Sequence, residues 1–241
     1  MAPKLKIGTN KDFDKTICLK FIDRKNAGID FGAGIVKVHP ELEDVGERSL
    51  DDQKSLISGY FDKFYEKHAE EIENTRDKFT KDWNEVQTQF FETCSKYFGN
   101  IPWPQGRYIG FLSIISCNPR FLEDKTFQVY WKNRKGFVPV AAHEMLHFLF
   151  YHTVSTNFPA VNFKNGEIWR LSEVFNILIL KEPDFVEITS DPKPDQYPEL
   201  INLQEELAPI WDNTKNVKKF LQQSLGLKES KGVWRNLINL L

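Results

Sequence analysis

The chain has 241 residues, 41% of them hydrophobic and 14% aromatic, enough for one sizeable core or for two lobes sharing a cleft. A formal net charge of −2 gives no electrostatic basis for binding nucleic acid or an anionic membrane surface. Cys18, Cys94 and Cys117 lie far apart without a CxxC pair, which argues against a disulfide framework and a thiolate metal site; buried free thiols are expected.

The N-terminal stretch Met1 to Lys6 lacks the apolar core of a signal peptide. No stretch approaches the roughly 20 apolar residues that span a bilayer, so a cytoplasmic protein is expected. Thr16 to Ile22 is rich in β-formers and reads as a strand, and Ile29 to Val38 reads as a second one after the turn residues Arg24 to Gly28. Gly32-Ala33-Gly34 lacks the third glycine of a nucleotide loop, which predicts a bulge or tight bend.

From Ser49 to Phe98 the apolar residues recur in steps of three or four, a helical period. The weak point at Asn74-Thr75 predicts two helices, the second capped there. His68 falls on the apolar stripe and reads as a packed residue rather than a ligand. After Pro102 and Pro104, Tyr108–Ser116 and Thr126–Trp131 read as two neighbouring strands. Val140 to His152 is a helix by composition, Thr153 to Gly166 a loop, and Glu167 to Leu180 a second helix. Pro183, Pro192, Pro194 and Pro198 mark an extended segment. Helices are predicted over Glu199–Trp211 and Asn216–Leu225, with a further turn or two over Val233–Leu241. Two regions result: 1–78, accessory or gating, and 79–241, carrying the chemistry.

That chemistry lies in His143-Glu144-Met145-Leu146-His147. Residues four apart share a helix face, so His143 and His147 offer imidazole nitrogens to one ion. Glu144 stands beside the first histidine, where a base takes a proton from a water activated by the metal. The surrounding helix is apolar nearly all round, and two histidines and a glutamate buried there need partners that a metal supplies together.

A catalytic zinc takes a third protein ligand and leaves a fourth position for water. A third histidine in the pattern HExxHxxGxxH is ruled out, because Phe150 and Thr153 occupy the glycine and histidine places and His152 falls one short. Glu173 is the favoured ligand, on an apolar helix where its charge would be buried; Arg170 is its rival partner. Asn176 shares its stripe and would orient Glu173 or a ligand histidine. Glu167 is the alternative ligand, although an acidic residue at a helix start is favourable without a metal. Tyr151, His152 and Tyr197 are candidates for stabilising an oxyanion.

His143-Glu144-x-x-His147 followed by a helix bearing Ser172-Glu173-x-x-Asn176 resembles the gluzincins, the zincin metallopeptidases that include thermolysin. The likeness covers about residues 79–180 and includes the order of backing helix, strands, HExxH helix and glutamate helix. It implies an α+β, zincin-like fold, one catalytic Zn2+ held by His143, His147 and Glu173, and Glu144 as general base and acid. It also implies a peptide or protein substrate whose backbone pairs with an edge strand, for which Thr126–Trp131 is the suspect. Family members commonly carry an aspartate four residues after the ligand glutamate; here Ile177 stands there and Asn176 is the nearest polar residue. The expectation is therefore a zinc metallopeptidase; the alternatives are a zinc hydrolase of a non-peptide substrate and a catalytically silent binding or regulatory protein.

Overall fold

The computed structural model describes residues 2–161 and 166–230, so the expected turn at Val233–Leu241 lies outside the described residues. The chain is α+β and mostly helical, with a small mixed sheet. It divides into two compact units, one of residues 2–88 and 105–145, the other of 89–104 and the chain from 146 onward.

The first unit holds the sheet. Strands β1 (Leu5–Thr9), β4 (Tyr108–Ser113), β6 (Thr126–Tyr130) and β5 (Arg120–Phe121) lie in the order β1-β4-β6-β5. β1 and β6 run parallel to β4, and β5 is antiparallel to β6. The two strands expected at 108–116 and 126–131 are therefore present and adjacent. β1 carries no sequence signal of its own: Lys6 interrupts its short apolar stretch. β6 is not an edge strand, which corrects the expectation for Thr126–Trp131. Its outward amides are occupied, Gln128 donating to the Pro119 carbonyl (2.9 Å) and Tyr130 to Asn118 Oδ1 (3.0 Å).

The stretch expected as strand at Thr16–Ile22 is helix α1 (Lys11–Phe21). The Asn10 side chain caps it by accepting from the Phe13 amide, and Asp12 and Asp14 favour its first turn. Asp14, Ile17, Cys18 and Phe21 form its buried face, a helical spacing that outweighs the β-branched composition. Of Ile29–Val38 only Ile29–Asp30 (β3) is extended, paired with Lys25–Asn26 (β2) in a small hairpin. Asp30 then caps helix α2 (Phe31–Val38), accepting from the Ala33 amide at 2.9 Å. Gly32 is neither bulge nor bend; it lets the helix approach the chain, since a Cβ there would lie 1.8 Å from the Ile22 carbonyl oxygen.

Helix α3 (Leu50–Lys67), capped by Ser49, and helix α4 (Ala69–Phe98) meet at His68 rather than at Asn74-Thr75. Thr75 does not cap: its hydroxyl donates to the Glu71 carbonyl inside α4. His68 bonds Glu71 at 2.8 Å and packs on Phe64 and Trp131, as a packing residue would. In this unit Phe79 and Trp83 of α4 and Phe127 of β6 enclose Phe137, the first residue of α5 (Phe137–Asn157).

A buried polar junction fixes the end of β4. Asp14 Oδ2 accepts from the Tyr65 hydroxyl (2.7 Å) and the Ile114 amide (2.9 Å), and Oδ1 accepts from Gln128 Nε2 (2.6 Å). Burial pushes its pKa up to about 6 in spite of these donors. The Ile114 carbonyl accepts from His39 Nε2 (2.8 Å), so His39 Nδ1 accepts from the Tyr60 hydroxyl (2.8 Å). Burial holds His39 below its ordinary value. All three cysteines are buried and free; burial raises the Cys18 and Cys117 thiols to about 12, which keeps them protonated.

The second unit is helical: the end of α4, the rest of α5, then α6 (Gly166–Leu180), α7 (Pro183–Thr189), α8 (Ile201–Thr214) and α9 (Val217–Ser230). α5 runs past the expected end at His152 because Thr153 donates to the Leu149 carbonyl and Asn157 Nδ2 to that of Thr153. Of the segment expected to be extended, Pro183–Thr189 is instead helix α7, where proline in the first turn has no amide to leave unsatisfied. Residues 190–197 are neither helix nor strand. Phe175 of α6 packs against Phe98, Phe150, Trp211 and Phe220 with ring centroids 5.2–5.7 Å apart. That cluster anchors α6 beside α5. Among the described residues no helix is long and apolar enough to cross a membrane.

Candidate metal centre

α5 is buried on almost every side: Ala141, Ala142, Met145, Leu146, Phe148, Leu149 and Phe150 are each at most 2% exposed. Between Ala141 and Phe150 the polar residues are Glu144 and His147, both buried, and His143, half-buried. α6 is equally enclosed, with every residue from Leu171 to Leu180 buried, so its carboxylate at Glu173 sits in apolar surroundings beside Asn176. Charges placed so deep require a counter-charge or a cation.

One ligand atom from each of His143, His147 and Glu173 lies within 4.8 Å of the other two. His147 Nε2 lies 3.5 Å from Glu173 Oε2, longer than an ordinary N–H···O hydrogen bond. His143 stands one turn before His147 on α5 and is the most accessible of the three. The donor set, two imidazoles and a carboxylate converging from two helices, suits a single divalent cation.

Glu144 is adjacent in sequence to His143 and is not one of the converging three. Its Oε2 lies 3.8 Å from Nη1 of Arg120, with side-chain exposures of 7% and 14%. Asn176 is fully buried one turn beyond Glu173. Arg170, the rival partner for Glu173, instead lies 3.9 Å from Glu199. Glu167 sits in the first turn of α6, half-buried, outside the converging group.

The remaining candidates are distributed around the centre. The Tyr151 ring centroid is 6.4 Å from that of His147, and its hydroxyl meets Ser172 Oγ at 3.4 Å. Tyr197 packs on Trp169 at 5.2 Å and opens a 3-10 turn. His152 is half-buried on α5, with its carbonyl accepting from Ser155. Arg120 is the site residue that the sequence does not disclose: it stands in a two-residue strand between Pro119 and Phe121, where no periodicity marks it.

No family model and no curated protein matches this sequence, and no solved structure matches this fold.

Proposed function

We propose that this protein is a zinc-dependent peptidase of the gluzincin kind, with a zincin-like core made of α4, the strands β4 and β6, α5 and α6. The observation that carries it is the convergence of His143, His147 and Glu173 to within 4.8 Å, with Glu144 next to the first of them. Ligand atoms about 2.0–2.1 Å from a tetrahedral zinc stand about 3.3–3.4 Å from one another. The 3.5 Å between His147 Nε2 and Glu173 Oε2 is close to that spacing, so the residues present fit the ion.

Imidazole nitrogens of His143 and His147 and a carboxylate oxygen of Glu173 would hold it, leaving a position for water or substrate. Zinc when bound supplies Lewis acidity, polarising a carbonyl and easing loss of a proton from water. Glu144 takes the proton from the attacking water and delivers it to the leaving amine nitrogen. Its burial keeps bulk water from competing for that proton. Asn176, buried on the same face of α6 as Glu173, belongs to the shell that orients the ligands.

A peptide-library digest with zinc-loaded protein, with and without chelator, tests this reading. Cleavage that the chelator abolishes and that Glu144→Gln lowers by at least about a hundredfold is expected. Stoichiometric zinc without cleavage of any peptide would assign the centre to another carbonyl substrate. A protein that takes up no metal would be a silent binding module.

A further inference from the structure

His39 stands at the C-terminal end of α2 and is only 1% exposed. Its Nε2 lies 2.8 Å from the Ile114 carbonyl oxygen, which can only accept, so this nitrogen carries the hydrogen of the neutral ring. Nδ1, 2.8 Å from the Tyr60 hydroxyl, is then the lone-pair nitrogen and accepts the Tyr60 hydrogen. The same hydroxyl also lies 3.2 Å from Glu41 Oε2. Two acceptors compete for one hydrogen, and the shorter contact to His39 holds it. Glu41, exposed in the turn after α2, faces a phenol oxygen with no second hydrogen to give.

We propose that His39, Tyr60 and Glu41 form an acid-responsive switch: proton uptake by His39 turns the Tyr60 hydroxyl from the histidine to Glu41, and the buried charge loosens α3 from the end of β4. Once Nδ1 carries a hydrogen it donates to the Tyr60 oxygen, and Tyr60 donates to the Glu41 carboxylate. Nε2 keeps the Ile114 carbonyl, so every polar group in the row has a partner in the charged state. The proton comes from solvent. The phenol only redirects its own, since burial and Glu41 keep Tyr60 protonated.

The surroundings oppose the charge. From α3 the rings of Tyr60, Phe61 and Phe64 lie 5.0–6.0 Å from the imidazole. From α1 come Asp14, bonded to the Ile114 amide, and the Cys18 thiol near Tyr60. Glu41, in the turn beyond His39, favours the imidazolium, and burial outweighs it, holding His39 below its ordinary value of 6.5. Neutral His39 therefore steadies the fold above 6.5, and that contribution is lost as the pH falls through the lowered value. α3 is fastened to residue 114 twice, by Tyr60 through His39 and by Tyr65 through Asp14. Charging His39 weakens the first fastening and leaves the second.

Nitrogen-15 NMR of the full chain provides the test, because ring nitrogen shifts report both tautomer and charge. Neutral His39 should carry its hydrogen on Nε2, and its titration midpoint should lie below 6.5. Glu41→Gln should lower that midpoint by about 0.5 pH unit, and Tyr60→Phe, which leaves Nδ1–H without an acceptor, by about 1. Hydrogen-exchange protection of the α3 amides should fall at least about threefold across the same midpoint, and should move with it in Glu41→Gln. In His39→Gln, which can still donate to Ile114, that fall should be absent. Asp14 titrates nearby with the opposite sign, so a protection change left in place by Glu41→Gln would belong to Asp14 and overturn the switch. A hydrogen on Nδ1 of the neutral ring, a midpoint above 6.5, or one indifferent to both variants would also overturn it. Glu41 is exposed, so its variant keeps the fold and decides the matter even where Tyr60→Phe does not fold. These readouts use neither metal nor substrate, so the result is independent of the peptidase reading.

Discussion

Acidification from about pH 7.5 to about pH 5 should stabilise the fold through Asp14, and the size of the effect follows from its burial. The carboxyl ordinarily titrates near 3.8 and is raised to about 6 in the folded chain. The folded state therefore holds this proton more tightly than the unfolded state does. Asp14's favourable contribution is complete below about 3.8 and is lost as the pH rises through about 6. At about pH 5, one unit below the folded value, it amounts to about 1.4 kcal/mol relative to neutral pH. For a chain of this length that corresponds to a Tm change of roughly 3–6 °C.

His39 works in the opposite sense: its lowered pKa stabilises above its ordinary value and is lost as the pH falls. The measurement is therefore the difference between the wild type and Asp14→Asn in calorimetric melts across that range. An asparagine can accept from the Ile114 amide and donate to Gln128, whose Oε1 has no hydrogen-bond partner among the described residues. The wild type should gain about 1.4 kcal/mol more than the variant on acidification. Parallel profiles for the two proteins would refute the assignment of a raised carboxyl to Asp14.

Gly32→Ala should cost about 1–3 kcal/mol in urea denaturation, because its Cβ has no room against the Ile22 carbonyl. Ser49→Ala removes the cap of α3, which accepts from the Asp52 amide, and should cost about 1 kcal/mol in the same assay. Glu167→Gln, Tyr197→Phe and His152→Ala should each leave zinc affinity by competitive chelation within about threefold of wild type, since none of them joins the converging donors. Phe175→Ala removes the ring that anchors α6 and should lower stability by about 3–5 kcal/mol.

The helices that carry the centre are legible because their signal is redundant. His143 and His147 share a helix face, α5 is apolar throughout, and Glu173 is a lone acid in an apolar run. The N-terminal half is less so. Thr16 to Ile22 has strand-like composition, and only the Asn10 cap with the spacing of Asp14, Ile17, Cys18 and Phe21 discloses the helix. Gly32 invites a bend until the Ile22 carbonyl is seen beside it, a contact ten residues away in sequence. The α3–α4 junction moved to His68 because its partners, Phe64, Glu71 and Trp131, decide the break, whereas Asn74 and Thr75 are simply accommodated within α4. Arg120 became visible only through the sheet order, which places a two-residue strand beside β6 and its side chain near Glu144.

Elemental analysis of purified protein after zinc loading and exhaustive dialysis tests the central claim most directly. The wild type and Glu144→Gln should each retain about one zinc per chain, while His143→Ala, His147→Ala and Glu173→Gln, with unchanged circular dichroism, should retain almost none. Zinc absent from the wild type, or kept at full stoichiometry by folded Glu173→Gln and His147→Ala, would contradict it.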